Sequence, residues 1–229
     1  AFFVCGFHVT VIATHRVSYA DAEGVSRSTA TLGLSLIGLF NIVGSLLAGY
    51  LGSRRPKTYL LSAIYALRGL IMTAFVVVPV SGTTVVVFGA LIGLVWLSTV
   101  PLTGGIVAAQ FGTTHSGTLF GFVFLSHQIG AFIGVYMAGV LADRTGSYAT
   151  VWWIAVVLAV LAAALHLVID ESPAPPAPAQ TAGIGGFAPA GAAAIIVVAG
   201  AAAAVSAQPV EADAALAGSY ICALHPTGP

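Results

Sequence analysis

The chain has 229 residues, of which 59% are hydrophobic and only 6% charged, and at a mean hydropathy of +1.03 it lacks the polar surface needed to coat a water-soluble globule. A formal net charge of zero gives no electrostatic footprint for nucleic acid and no polybasic stretch for anionic lipid. Two cysteines, Cys5 and Cys222, near opposite ends exclude a disulfide framework and a thiolate metal site, so neither metal nor cofactor is expected.

Six apolar stretches fall at about 1–19, 29–52, 58–79, 83–110, 116–141 and 148–169, each near or above the roughly 20 residues that cross a bilayer core as a helix. The first opens directly inside hydrophobic sequence, so the chain reads as a piece of something longer whose first span is cut short. The runs are continuous rather than alternating, which excludes strands of a membrane barrel and leaves an all-α, polytopic transmembrane bundle. Tyr19, Tyr50, Tyr59, Tyr148, Trp152 and Trp153 lie near span ends, where an aromatic belt belongs, and Trp96 lies deeper. Charges gather between spans: Asp21, Glu23 and Arg27; Arg54, Arg55 and Lys57; Asp143 and Arg144; Asp170 and Glu171. Arg68 is the one charge well inside a span, and Arg16 adds to the basic count of its face if it snorkels outward. The basic count of the two faces nearly ties, and the tight Arg54, Arg55, Lys57 cluster favours a cytoplasmic turn there.

Residues 1–170 form the expected helical domain, and 171–229, rich in Pro, Ala and Gly, read as a low-complexity tail. The Ala/Gly stretch around Ile195–Val198 contributes little transfer energy and is a weak seventh span.

Between the second and third spans, Gly49, Leu51, Arg54 and Lys57 occupy positions of the loop motif Gly-x-Leu-x-Asp-Arg-x-Gly-Arg-Lys. The segment resembles that motif of the major facilitator superfamily in its second copy, with Ser53 in place of the Asp and Pro56 in place of the second Gly. A related string, Gly139 to Tyr148 with Asp143 and Arg144, and the run Gly117 to Gly130 with His127 and Gln128, are similar to the oxalate/formate antiporter and monocarboxylate-like branch. The resemblance implies that the six spans are helices seven to twelve of a twelve-helix fold, facing a missing N-terminal six-helix half. It also implies alternating access around a midplane site, in the plasma (inner) membrane.

On that plan Gly49, Leu51, Arg54, Arg55 and Lys57 form a conformational latch, glycine allowing close helix approach and the basic side chains reaching helix C-terminal carbonyls. A basic loop that only fixes topology is the alternative reading. His127 lies about ten residues into its span, roughly 15 Å deep, on a face shared with Gly130, Ala131, Gly134 and Ala138. An interior histidine binds solute, takes up a coupling proton or holds a neighbouring helix. Arg68, eleven residues past Lys57, sits at similar depth with no Asp or Glu inside any predicted span, leaving carbonyls, an upstream residue or an anionic solute as its partner. It reads equally as a structural clamp and as a solute contact. Gln128, Asn41 with Ser45 one turn on, and Thr103 complete the candidate solute-binding set; interhelical bonding is the plainer role for Asn41. Pro101, Gly104 and Gly105 are the candidate hinge, since proline removes a backbone bond and glycine permits bending. His8 lies at similar depth among Phe2, Phe3 and Phe7 and is the weaker candidate.

Enzyme signatures are missing from the sequence: no Gly-x-Ser-x-Gly elbow, no HExxH, no phosphate-cradling loop, and Ser126 and His127 are adjacent, pointing different ways. The expected function is therefore secondary transport of a small solute, favoured as an organic anion with coupling to protons or exchange. The rivals are a sugar or drug facilitator and a non-transporting membrane fragment or scaffold.

Overall fold

A computed structural model describes residues 1–112 and 114–172; the tail from 173 onward, with its weak seventh span, lies outside the described residues. Among the described residues seven helices follow in order: α1 (Phe2–Ala22), α2 (Arg27–Gly52), α3 (Lys57–Val77), α4 (Gly82–Leu94), α5 (Thr99–Phe111), α6 (Ser116–Thr145) and α7 (Ala149–Leu167). No strand occurs among the described residues, as the continuous apolar runs require. Five segments among the described residues are long and apolar enough to cross a membrane, counting 82–111 as one. The 21-residue α1 is not among them, because His8, His15 and Arg16 lower its hydropathy.

The predicted span 83–110 is not one helix. It breaks at residues 95–98 into α4 and α5. Pro101 explains the position: a helical proline has no N–H to give the carbonyl four residues back, here Leu97, and its ring crowds that oxygen. By restarting at Thr99 the chain places Pro101 in a first turn, where backbone N–H groups lack helical partners anyway. Of the expected hinge residues, Pro101 stands in the first turn after the break. Gly104 and Gly105 lie in unbroken α5, and the irregular backbone is the four residues before it.

The helices assemble as three long-range pairs, α1 with α6, α2 with α4 and α3 with α7. Lipid offers no hydrophobic drive between helices, so close backbone approach supplies the packing. On the α1–α6 seam a Cβ placed on Gly6 would collide with the His127 carbonyl, and one on Gly130 with the carbonyl of Phe3. The α2–α4 seam repeats the device, Gly44 lying against the Leu94 carbonyl and Gly89 against that of Gly33. Between the pairs, Phe75 and Phe88 stack at 4.1 Å and Trp152 closes edge-on at 5.3 Å and 5.8 Å respectively.

Arg16 does not snorkel. It is fully buried, donating through Nη2 to the Ala30 carbonyl at 2.8 Å and through Nη1 to that of Val85 at 3.4 Å. Gly33 leaves the room it occupies, since a Cβ there would lie 2.7 Å from Nη1. Arg16 therefore ties α1 to α2 and α4.

On the opposite face, the α2–α3 turn meets the residues after α7. The Glu171 carboxylate accepts the backbone N–H of Thr58, and Gln110 donates to the Asp170 carbonyl. α3 starts after Pro56 with no side-chain cap of its own, so a carboxylate from the segment after α7 satisfies its first turn. Partial burial opposes ionisation of Glu171, but the Thr58 amide and hydroxyl, together with Lys57, outweigh it and hold this carboxyl below its ordinary range. α6 ends at Gly146, whose φ of 67° suits a residue without Cβ.

Candidate solute site at the α4–α5 break

A helix broken at mid-span exposes backbone groups that need partners, and in a bilayer only protein can supply them. Neighbouring helices each contribute one. Arg68 of α3, fully buried, donates through Nη2 to the Trp96 carbonyl at 2.8 Å and also to that of Val95. Asn41 of α2 accepts the Leu97 N–H through Oδ1 at 3.0 Å, and Ser45 donates to the same oxygen at 3.3 Å. Within the break, the Ser98 hydroxyl takes the Leu94 carbonyl at 2.7 Å. The buried partner sought for Arg68 is thus a pair of freed carbonyls, and Asn41 bonds across helices.

From α1, the Cys5 thiol meets the Thr99 hydroxyl at 3.3 Å and neighbours Arg68 and His127. His127 is 8% exposed, with Phe124 stacked on its ring at 5.1 Å and Phe2 tilted at 5.4 Å. Its Nδ1 lies 3.1 Å from Oε1 of Gln128, whose own side chain is exposed. His8 is buried with Nε2 2.8 Å from the Ala155 carbonyl; a carbonyl only accepts, so Nε2 carries the proton and Nδ1 presents its lone pair. Tyr65 stacks on His166 at 5.0 Å and lies beneath the Arg68 guanidinium, 5.3 Å from Cζ to the ring centre.

Several polar atoms of this cluster have no hydrogen-bond partner among the described residues: Nε and Nη1 of Arg68, Nδ1 of His8 and, in α5, the Thr103 hydroxyl. The cluster includes no carboxylate among the described residues. Cys5 and His8 of α1 and His127 of α6 meet at it, but no group of three metal-ligating side chains forms among the described residues.

The structure thus brings Arg68 and His127 together through Cys5, with Asn41 on the other side of the same break. Sequence reasoning missed Cys5, Thr99 and Tyr65, and left Arg16 out of the interior. A signal was available: Cys5, His8, Ile12 and Arg16 recur at three- and four-residue intervals, one face of a helix, so α1 carries a polar stripe turned into the bundle.

The predicted latch is arranged differently from expectation. Gly49 faces open space, and the close approach is made by Gly52, where a Cβ would touch Leu102, and by Gly105, where one would lie 2.9 Å from the Lys57 Cε. Leu51 is half-buried and Arg55 exposed. Arg54 lies over the Tyr50 ring, 4.3 Å from Cζ to its centre, and Ser53 donates to the Tyr50 carbonyl at 2.8 Å, so a serine rather than a basic side chain closes the end of α2.

Residues 1–221 match the Major Facilitator Superfamily, a match that runs beyond the six predicted spans. The chain belongs to the major facilitator superfamily. It is similar to the "Uncharacterized MFS-type transporter YcxA" of Bacillus subtilis (strain 168), 30% identical over 172 residues that cover 72% of this chain and 41% of that protein. It is also similar to "Monocarboxylate transporter 12" of Mus musculus, 31% identical over 143 residues covering 58% of this chain and 28% of that one, and to the protein of the same name from Rattus norvegicus, 33% identical over 139 residues. The chain therefore spans less than half the length of the relatives it matches. As a major facilitator chain with repeated spanning helices, it is a multi-pass membrane protein.

Proposed function

We propose that this chain is the C-terminal half of a secondary transporter that moves a small organic anion by alternating access, with the solute bound near the midplane against a second six-helix half. The observation that carries the reading is the buried guanidinium of Arg68 in a polar cluster that holds no carboxylate among the described residues, next to a histidine at the cluster's edge. A buried cation without an acidic partner favours an anion, and Arg68 Nε and Nη1 keep donors unused. His127 and Gln128 offer the more accessible polar edges, and the Thr103 hydroxyl a further one. The name of the rodent relatives, monocarboxylate transporter 12, points to the same solute class.

The test is uptake of labelled lactate and oxalate into proteoliposomes by the full-length protein. Carboxylate uptake is expected, with His127→Ala lowering it roughly tenfold or more by removing one polar contact of the bound solute. Stimulation by an inward proton gradient would identify proton symport, and trans-stimulation by internal carboxylate would identify exchange. Uptake of hexoses or neutral drug-like compounds without carboxylate uptake overturns the anion reading. No uptake of any solute by a folded full-length protein favours the membrane scaffold.

Orientation follows from the basic residues. With Arg16 buried, the face carrying Arg54, Arg55 and Lys57 outweighs that carrying Arg27 and Arg144. In inner-membrane preparations, a membrane-impermeant maleimide is expected to label Arg54→Cys from the cytoplasmic side and Asp143→Cys from the other. The reverse pattern would invert the assignment.

A further inference from the structure

We propose, resting on the anion reading of the same cluster, that the Cys5 thiol is a nucleophile inside the solute site. It captures carboxylates that bear a soft electrophilic carbon while Arg68 holds their carboxylate, and the capture closes the site to further solute.

A cysteine among apolar side chains is inert, whereas one beside a cation and a base is not. Cys5 is fully buried, yet three other helices bring polar groups to it: the Thr99 hydroxyl of α5 at 3.3 Å, Arg68 of α3 and His127 of α6. The thiol alone would mark nothing. What points to a ligand is Arg68, itself fully buried, with Nη2 held on the Val95 and Trp96 carbonyls and the Tyr65 ring 5.3 Å from Cζ. Its Nε and Nη1 have no partner among the described residues, so cationic N–H groups without an acceptor border the thiol. In an acid of two or three carbons the α-carbon is one bond from the carboxylate. A carboxylate received by those donors therefore sets that carbon beside Sγ, the arrangement that turns an encounter into an intramolecular step.

His127 supplies the base. Its Nδ1 stands 3.1 Å from Oε1 of Gln128, and an amide oxygen only accepts, so Nδ1 carries the proton and the lone pair lies on Nε2. At 8% exposure His127 is also more open than Cys5, Arg68, Thr99 or Tyr65, so a proton taken from the thiol leaves by that edge. With a 2-halo acid, Nε2 takes the thiol proton and Sγ bonds to the α-carbon. The carbon–halogen bond breaks, and its electron pair departs on the halide. The product is a thioether whose carboxylate stays on Arg68, a permanent occupant of the place a solute anion would take.

The experiment compares iodoacetate with iodoacetamide, which differ only in carboxylate against amide, on the full-length protein in liposomes, with alkylation of each cysteine followed by peptide mass spectrometry. An ordinary thiolate repels the carboxylate and favours iodoacetamide, and Cys222 of the same chain is the internal reference. At Cys5 the rate ratio of iodoacetate to iodoacetamide is expected to exceed that at Cys222 by about tenfold or more, the worth of one charge-assisted bond. Arg68→Gln is expected to bring the ratio down to that of Cys222, and His127→Ala to slow both reagents at Cys5 while keeping it. If Arg68→Gln fails to accumulate, the wild-type ratio and His127→Ala carry the test. A folded protein in which Cys5 stays unmodified, or favours iodoacetamide as Cys222 does, overturns the nucleophile. Oxalate uptake is expected to fall in proportion to carboxymethylation of Cys5 and not of Cys222; uptake retained with Cys5 modified overturns the closure. Because the alkylation ratio is read without transport, a protein that shows it but moves no carboxylate would sink the transport reading alone.

Discussion

Gly130→Val is expected to destroy the bundle, with loss of folded protein from detergent extracts read by fluorescence-detected size exclusion and by thermal melting. A Cβ at this position would be driven into the carbonyl of Phe3, and on the same seam one at Gly134 would sit 3.0 Å from that of Phe7. Backbone is the neighbour in both cases, so no side-chain rotamer can relieve the clash and the two helices must separate. Separation forfeits the close contacts of the whole α1–α6 pair, which in lipid are the main source of its stability. Overpacking in a dense interior costs about 1–3 kcal/mol where side chains can yield, and here the cost should exceed that range. Gly121→Ala and Gly139→Ala on the same helix meet nothing within 4 Å and serve as controls expected to leave melting unchanged. A Gly130→Val protein that melts with wild type would show that α1 and α6 do not approach in this register.

Arg68→Leu is expected to destabilise the bundle far more than Arg16→Leu, although both arginines are fully buried and both donate to carbonyls. The difference lies in what is left behind. Arg16 binds the carbonyls of Ala30 and Val85, which lie inside regular α2 and α4 and keep their helical partners after truncation. Arg68 binds carbonyls of the break, which have none. Removing a partner from buried, otherwise unpaired groups costs about 1–3 kcal/mol for each, so Arg68→Leu should lose roughly 3–5 kcal/mol and Arg16→Leu about 1–2 kcal/mol. Urea- or heat-induced unfolding in detergent measures both. Equal losses would mean that the break finds other partners.

Much of this architecture was legible in the amino-acid order because lipid is a simple solvent. Continuous apolar runs separated by short charged turns admit only spanning helices, and the Gly130, Gly134, Ala138 seam named α6's buried face in advance. Its limits were also physical. Hydropathy treats residues 82–111 as one span, since a proline is tolerated in membrane helices whenever neighbours satisfy the freed groups. Whether they do depends on Arg68 and Asn41, far away in sequence, so the break and its clamp are invisible until the helices are placed side by side. Arg16 stayed open for a related reason: snorkelling and burial are equally open to a long side chain near a helix end, and the room left by Gly33 decided between them. Cys5 was passed over as one apolar residue in an apolar run, when its spacing to His8 was the informative quantity.

The cap on α3 sets an order of events in the making of this protein. Synthesis delivers the first turn of α3 long before Glu171, which lies 113 residues after the Thr58 amide it receives. Throughout that interval the turn must rely on water or headgroups, and α1 and α3 likewise wait for α6 and α7. Nascent chains halted before residue 171 should therefore remain open to intramembrane quality control, and the bundle of α1 to α7 is sealed only when α7 has been handed over.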